Sequence, residues 1–86
     1  MFVILSYDVG SKRVGKALKT CRKYLHRRHR SVFEGELTEA ELRRLEAELE
    51  RIVDPGEDSV CVYRVRSVRY VTTDELGETV DNDTII

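Results

Sequence analysis

The strongest constraint on the fold is that strand-like and helix-like hydrophobic patterns alternate within only 86 residues. The chain begins with a run of β-forming apolar residues, Met1–Tyr7, which is bounded by turn residues and predicts a buried central strand. A chain of this length forms one domain, because it cannot enclose a second hydrophobic core. Its 41% hydrophobic content is sufficient for a packed core and argues against intrinsic disorder.

A first amphipathic helix is predicted over about Ser11–His26. The apolar residues of this stretch recur at helical spacing and form one stripe, and the opposite face is basic. Gly15 lies inside the pattern, where glycine costs about 1 kcal/mol relative to alanine, and indicates a close packing approach or a frayed first turn. Cys21 and Cys61 have no C-x-x-C partner, so both are predicted to be core thiols.

A second helix is predicted to start directly after Thr38. The segment Thr38–Glu41 has the pattern of a capping box, in which the first and fourth residues bond each other's backbone N–H groups. Leu37 and Leu42 have the spacing of a hydrophobic staple across this start. Leucines at helical spacing continue the buried stripe to Ile52, and the turn residues Asp54–Gly56 end the helix.

Two further stretches alternate with the two-residue period of strands, Arg30–Leu37 and Asp58–Val65. Residues Arg27–Leu37 form either one kinked strand or a tight hairpin, and the pattern is compatible with both. The alternation changes register after Val65, which predicts a bend followed by a further short strand, Val68–Thr72, that pairs elsewhere.

The order of these elements predicts an α+β fold, the ferredoxin-like βαββαβ sandwich, with both helices on one face of an antiparallel sheet and an extra C-terminal strand. The predicted ferredoxin-like domain covers residues 1–72, and residues 73–86 form an acidic tail that either docks on a basic surface or is mobile. The uncovered sheet face favours a homodimer, in which the tail strand of one protomer extends the other's sheet.

Apolar runs in this chain are too short to cross a bilayer or to act as a secretory signal. We therefore expect a soluble cytoplasmic protein without membrane contact.

Charge is segregated along the chain, although the formal net charge is −1. Between Val9 and Phe33 there are nine Lys or Arg residues and no acid, whereas residues 34–59 contain ten acids and three bases. Such a cluster of bases is typical of a phosphate-binding surface, and a solvated helix face is the alternative. The side chains predicted to contact nucleic acid are Lys12, Arg13, Lys16, Lys19, Arg27, Arg28 and Arg30.

Asp8 is the only acid among the first 33 residues, and it stands between the predicted central strand and the basic helix. Strand ends of this kind are favoured places for functional groups, whereas a helix cap or an Asx-turn is the structural alternative. Mg²⁺ commonly binds one or two carboxylates and several waters, so Asp8 is the candidate metal ligand. A two-fold axis near Asp8 would supply a second carboxylate.

Other chemistry-bearing residues carry weaker signals. His26 and His29 have H-x-x-H spacing, but the sequence offers no convincing third ligand, which argues against a zinc site. Ser31 has no activating base nearby in sequence, which argues against a Ser-His nucleophile. Tyr7 and Phe33 are candidates for stacking on bases, and burial in the core is the favoured alternative for Phe33.

Several of these segments together resemble one known family. They are a strand ending Tyr7-Asp8-Val9, a helix opening Lys12-Arg13-Val14, the segment Arg30–Gly35 and the segment Asp54–Val60. From residue 1 to about Arg66 the chain resembles the small CRISPR-associated adaptation protein, the second of the two core adaptation proteins. The resemblance implies a ferredoxin-like homodimer whose two Asp8 side chains face each other. It also implies a role in spacer acquisition, in which the dimer bridges copies of the larger CRISPR integrase and supports a DNA duplex.

The resemblance further implies an endonuclease that uses Mg²⁺ or Mn²⁺ on single-stranded RNA or double-stranded DNA. For catalysis it implies Asp8 as the metal ligand and Tyr7 as a further candidate. Arg13 and Arg30 would contact phosphate or the transition state, and Ser31 and Phe33 would shape the cleft or the interface. One acid per chain and no credible general base favour an architectural nucleic-acid-binding role over the alternative, a free-standing metal-dependent endoribonuclease of the interferase-toxin type.

Overall fold

The first strand, β1 (Phe2–Asp8), lies in the middle of the sheet and pairs on both sides. The structure is a computed structural model, and it describes residues 1–77. The other elements are α1 (Val14–Arg22), β2 (His26–His29), β3 (Val32–Glu36), α2 (Glu39–Ile52), β4 (Ser59–Val65) and a 3₁₀ turn at Val68–Tyr70. The strand order is β2-β3-β1-β4 and every pairing is antiparallel, so the predicted ferredoxin-like α+β sandwich is confirmed.

The core lies between the sheet and the two helices. Alternate β1 side chains, Val3, Leu5 and Tyr7, point toward the helices and are buried. They pack with Ala17 and Cys21 of α1 and with the leucine stripe of α2. Burial raises the pKa of the Cys21 thiol to about 12, as expected for an inert core thiol.

The start of α2 forms as the sequence predicts. The Thr38 hydroxyl accepts a hydrogen bond from the Glu41 N–H at 3.1 Å, and the Glu41 carboxylate accepts one from the Thr38 N–H at 2.8 Å. Leu37 and Leu42, at the staple positions, are both buried. The helix ends at Ile52, before the predicted turn.

Replacing Thr38 with alanine is expected to lower the free energy of unfolding by about 1 kcal/mol, because the Glu41 amide loses its capping acceptor. Urea unfolding of Thr38→Ala and Thr38→Ser would measure the change. Thr38→Ser keeps the hydroxyl and should stay close to the natural chain. Equal losses in the two variants would contradict the capping role.

Helix α1 is shorter than the predicted Ser11–His26. Its first residues form a turn in which the N–H groups of Arg13 and Val14 both donate to the Gly10 carbonyl oxygen. At the other end His26 already belongs to β2. Apart from its chain neighbours and the backbone of its own helix, a Cβ atom on Gly15 would meet no described atom within 4 Å. Of the two alternatives predicted for Gly15, the close packing approach is therefore wrong.

Residues 27–37, for which the sequence allowed either a kinked strand or a tight hairpin, form a hairpin. Strands β2 and β3 pair antiparallel across the two turn residues Arg30 and Ser31, and a bulge shifts their register between Arg27 and His29. The bulge explains why the periodicity of the segment was ambiguous, since an extra residue on one strand reverses the facing of the side chains beyond it.

Two expectations about the C-terminal third are wrong. Cys61 is exposed, because it pairs with Ser6 on the sheet face that the helices leave uncovered. Val68–Tyr70 forms a 3₁₀ turn in place of the extra strand, because the Ser67 hydroxyl accepts a hydrogen bond from the Arg69 N–H and the Val71 N–H donates to the Val68 carbonyl. The boundary predicted at residue 72 stays a prediction, and the tail residues 78–86 lie outside the described residues.

The uncovered face of the sheet carries Ile4, Ser6 and Asp8 from β1 and Cys61 and Tyr63 from β4. Tyr63 is 56% exposed there. Across residues 1–77, no helix has both the length and the apolar character that a membrane crossing requires.

Candidate functional site

Asp8 is the last residue of β1 and pairs with Ser59, the first residue of β4. Its side chain is exposed and belongs to the uncovered face of the sheet. Tyr7, the preceding residue, points to the helix side because successive strand side chains alternate. Tyr7 and Asp8 therefore point to opposite faces of the sheet at the end of β1.

A cleft of about 320 Å³ opens at this end of the sheet. It is lined by Tyr7, Asp8, Val9, Val14, Arg27, Arg30 and Ser31. The β2–β3 turn comes to this place because the Tyr7 N–H donates to the Ser31 carbonyl oxygen at 3.0 Å. The structure thus brings four of the predicted catalytic residues together, and it adds Arg27, which the sequence assigned to nucleic-acid binding.

Tyr7 lines this cleft, and its side chain ends in a buried hydroxyl group. The residue is 6% exposed, and its hydroxyl oxygen is buried without a hydrogen-bond partner among residues 1–77. Burial raises the pKa of Tyr7, so the phenol is neutral and can donate a hydrogen bond. Because buried polar groups normally have partners, this hydroxyl is suited to a ligand oxygen or a water in the cleft.

Phe33 supports the cleft from inside the core. Its side chain is fully buried, and its ring centroid lies 5.5 Å from that of Tyr7 with the rings tilted by 35°. The favoured prediction that Phe33 is a core residue is confirmed. Neither ring presents an open face for base stacking. The packing of the two rings instead supports the cleft from the side of the core.

Arg13 lies outside this cleft, beside the loop that joins β1 to α1. Its guanidinium group donates to both carboxylate oxygens of Asp58, at 2.6 and 3.0 Å, and lies 3.5 Å from Glu57. Asp58 immediately precedes β4, and its side chain is completely buried. Asp58 was not among the predicted site residues. In the sequence it is an acid directly before an apolar strand, within the segment Asp54–Val60 that resembles the family.

The Arg13 guanidinium donates hydrogen bonds that hold the pKa of Asp58 well below its usual range, with help from the backbone N–H groups of Asp54 and Gly10. A carboxylate whose pKa is depressed in the folded state stabilises the fold above its unfolded pKa of about 3.9 and loses this contribution as the pH falls through the folded pKa.

We expect Asp58→Asn to be less stable than the natural chain at pH 7 and the difference to shrink as the pH drops below about 4. Urea unfolding of both chains at pH values between 7 and 2 would show this convergence. A difference that stays constant over the whole range would mean that the charge of Asp58 does not stabilise the fold.

A basic surface runs from the β1–α1 loop along α1. Lys12, Lys16 and Lys19 are exposed and recur at helical spacing. These lysines make no ion pair with any described residue, and the same holds for Arg30 at the cleft. Arg28 differs, because Glu34 and Glu75 lie 3.5 and 2.9 Å from its guanidinium nitrogens.

The donor set for a metal ion is small. In the described part of the chain, no three His, Cys, Asp or Glu side chains cluster closely enough to hold a metal. Asp8 offers one exposed carboxylate, and Tyr7 and Ser31, which both carry hydroxyl groups, line the same cleft. These oxygen groups fit a hard cation such as Mg²⁺, which keeps most of its waters and binds one or two carboxylates.

Comparison with known proteins gives consistent matches over nearly the whole chain. The family model of the CRISPR associated protein Cas2 matches residues 1–73. A relative from Frankia alni, named CRISPR-associated endoribonuclease Cas2, is 50% identical over 82 residues, which cover 95% of this chain and 94% of the relative. A relative of the same name from Dictyoglomus turgidum is 46% identical over 77 residues, covering 90% and 88%.

Solved structures agree with this assignment. A crystal structure of a Cas2 protein superposes with a TM-score of 0.84 at 41% identity, covering 91% of this chain and 87% of that one. Cas2 of Streptococcus pyogenes, solved at pH 6.5, gives a TM-score of 0.74 at 32% identity, covering 87% and 100%. The sequence, the fold and these relatives lead to one conclusion: the chain belongs to the CRISPR associated protein Cas2 family.

Proposed function

We propose that this chain acts in CRISPR adaptation as a nucleic-acid-binding homodimer that bridges copies of the larger integrase. Its basic surface of Lys12, Lys16 and Lys19, which form no ion pair among residues 1–77, is suited to neutralising phosphates of a duplex. These contacts read no base edges, so the dimer would bind duplexes of many sequences, as an architectural protein must. Membership of the Cas2 family supports the adaptation role.

The homodimer is supported by the sheet face that the helices leave uncovered. Tyr63 and Cys61 are exposed on it, and a second copy of the same face would remove them from water. Asp8 belongs to this face, so a two-fold axis near the end of β1 would bring two carboxylates together. Two such carboxylates repel unless a cation or a proton lies between them, which favours a divalent ion at the dimer axis.

A second activity, metal-dependent cleavage of RNA, is supported by the cleft and by the relatives named endoribonuclease. The observation that carries it is that Asp8, Arg27 and Arg30 line one cleft. In this proposal Asp8 holds Mg²⁺ or Mn²⁺. When bound, the ion would polarise a phosphoryl oxygen or lower the pKa of an attacking water.

The chain's own residues would orient the phosphate. Arg27 and Arg30 would bind the non-bridging oxygens and compensate the charge that develops on them. The Tyr7 hydroxyl, which has no hydrogen-bond partner among residues 1–77, would donate to a substrate oxygen, and the Tyr7–Phe33 ring pair would support this side of the cleft. Ser31 would fix the turn that carries Arg30, through the backbone bond to Tyr7.

Two measurements test this proposal. Co-purification with the larger integrase should recover a complex that contains a dimer of this chain. Single-stranded RNA should be cleaved when Mg²⁺ or Mn²⁺ is added and should stay intact with a chelator. Failure to form the complex would contradict the adaptor role, whereas cleavage that persists in chelator would contradict the metal-dependent mechanism.

A further inference from the structure

The buried carboxylate of Asp58 is the centre of a hydrogen-bond cluster behind the site. It accepts hydrogen bonds from the Gly10 N–H at 2.9 Å, from the Asp54 N–H at 2.8 Å and from two nitrogen atoms of Arg13 at 2.6 and 3.0 Å. Four donors thus converge on one side chain that has no exposed surface. Charge-assisted, bidentate bonds of this kind restrict geometry more strongly than neutral ones.

The donors come from two different loops. Gly10 and Arg13 belong to the loop that follows Asp8 and leads into α1, whereas Asp54 belongs to the turn before β4. That turn is itself rigid, because the Glu57 and Asp58 N–H groups donate to the Asp54 carbonyl at 3.0 and 2.7 Å. Asp58 therefore ties the loop after Asp8 to a fixed neighbour.

The position of Gly10 indicates how closely the loop encloses this cluster. A Cβ atom on Gly10 would lie 2.7 Å from Nη2 of Arg13, which is too near for ordinary contact. Gly10 does not have a positive φ, so an added methyl group would act by displacing the guanidinium and not by straining the backbone. Because residue 10 has no side chain, the end of Arg13 fits beside it in the position that pairs with Asp58.

We propose that Asp58 and Arg13 are positioning residues, which hold the loop over residues 9–13 so that Asp8 is correctly placed at the end of β1. In this role Arg13 does not contact a phosphate, since Asp58 and Glu57 already neutralise its charge. The assignment differs from the expectation that Arg13 binds phosphate or the transition state. It rests on the proposed RNA cleavage, which the experiment tests separately.

The experiment compares Arg13→Ala with Lys12→Ala, its exposed neighbour on the same loop. Arg13→Ala should lower kcat for cleavage of single-stranded RNA by about ten- to a hundredfold with little change in KM, as displaced supporting residues do. The slope of log Kd for RNA against log salt should stay unchanged in Arg13→Ala. In Lys12→Ala that slope should fall by about 0.7 for each phosphate that the lysine no longer neutralises.

Three further variants separate positioning from stability. Gly10→Ala should reproduce the kcat loss of Arg13→Ala. Arg13→Lys should lose less kcat than Arg13→Ala, because the lysine can reach one Asp58 oxygen. Thr38→Ala, which weakens the fold far from the loop, should keep normal cleavage per folded molecule. A fall in the salt slope for Arg13→Ala, or normal kcat in both Arg13→Ala and Gly10→Ala, would overturn the positioning role.

The two proposals fail in different ways. If the natural chain cleaves no RNA with Mg²⁺ or Mn²⁺, the proposed cleavage is wrong and kcat no longer reports on the loop. The salt slope still decides whether Arg13 binds phosphate. The carboxyl ¹³C resonance of Asp8 then shows whether Arg13 positions the loop. This resonance should shift in Arg13→Ala and stay unchanged in Thr38→Ala. An unshifted Asp8 resonance in Arg13→Ala would overturn the inference.

Discussion

Raising the salt concentration from about 50 to about 200 mM is expected to weaken duplex binding by about 10³-fold or more. The reason is the number of exposed cations that have no ion pair within the described chain: Lys12, Lys16, Lys19 and Arg30 in each protomer. A dimer would present twice this number, which is within the range of 6–10 phosphate contacts for which about 10³–10⁵-fold losses are typical.

Fluorescence anisotropy with duplexes of two unrelated sequences would measure the effect. Both duplexes should give the same slope of log Kd against log salt, because phosphate contacts carry no sequence information. Replacing Lys12, Lys16 and Lys19 together with alanine should make the slope much shallower. A matched triple replacement of Arg43, Arg44 and Arg51 on α2 should leave it unchanged. Binding that does not respond to salt would contradict the role of the basic surface.

Asp8→Ala is expected to abolish RNA cleavage while leaving integration by the complex intact. The loss of cleavage follows because Asp8 supplies the one carboxylate that lines the cleft among the described residues. Integration should persist because the basic surface lies on the β1–α1 loop and α1, and Arg30 lies on the β2–β3 turn. None of these elements takes a hydrogen bond or an ion pair from the Asp8 side chain within residues 1–77.

The control for Asp8→Ala is a variant that removes an acid away from the cleft. Glu50→Ala removes an exposed carboxylate from α2 and should retain both cleavage and integration. Circular dichroism and sedimentation would confirm that the fold and oligomeric state of Asp8→Ala are unchanged. If a folded, dimeric Asp8→Ala protein lost integration, the ranking of the architectural role above the nuclease activity would be wrong.

The secondary structure could largely be predicted, because each element depends on residues that are close in sequence. The capping box at Thr38 and Glu41 involves residues three positions apart, and it formed as expected. The position of Asp8 at the end of β1 follows from the same local alternation. Predictions failed where the outcome depended on a neighbour elsewhere in the chain, as for exposed Cys61, which faces away from the helices.

The order of strands and helices, the concentration of bases on and around α1 and the lone acid at the end of the first strand all followed from local patterns in the chain. Which of the bases lack an ion pair within residues 1–77 depended on contacts made in the folded chain. Arg13 and Asp58 are separated by 45 residues, yet they form the bidentate pair behind the site, while Lys12 beside Arg13 stays exposed. No local pattern distinguishes these two neighbours, because the carboxylate that selects one of them arrives through the pairing of β4 with β1.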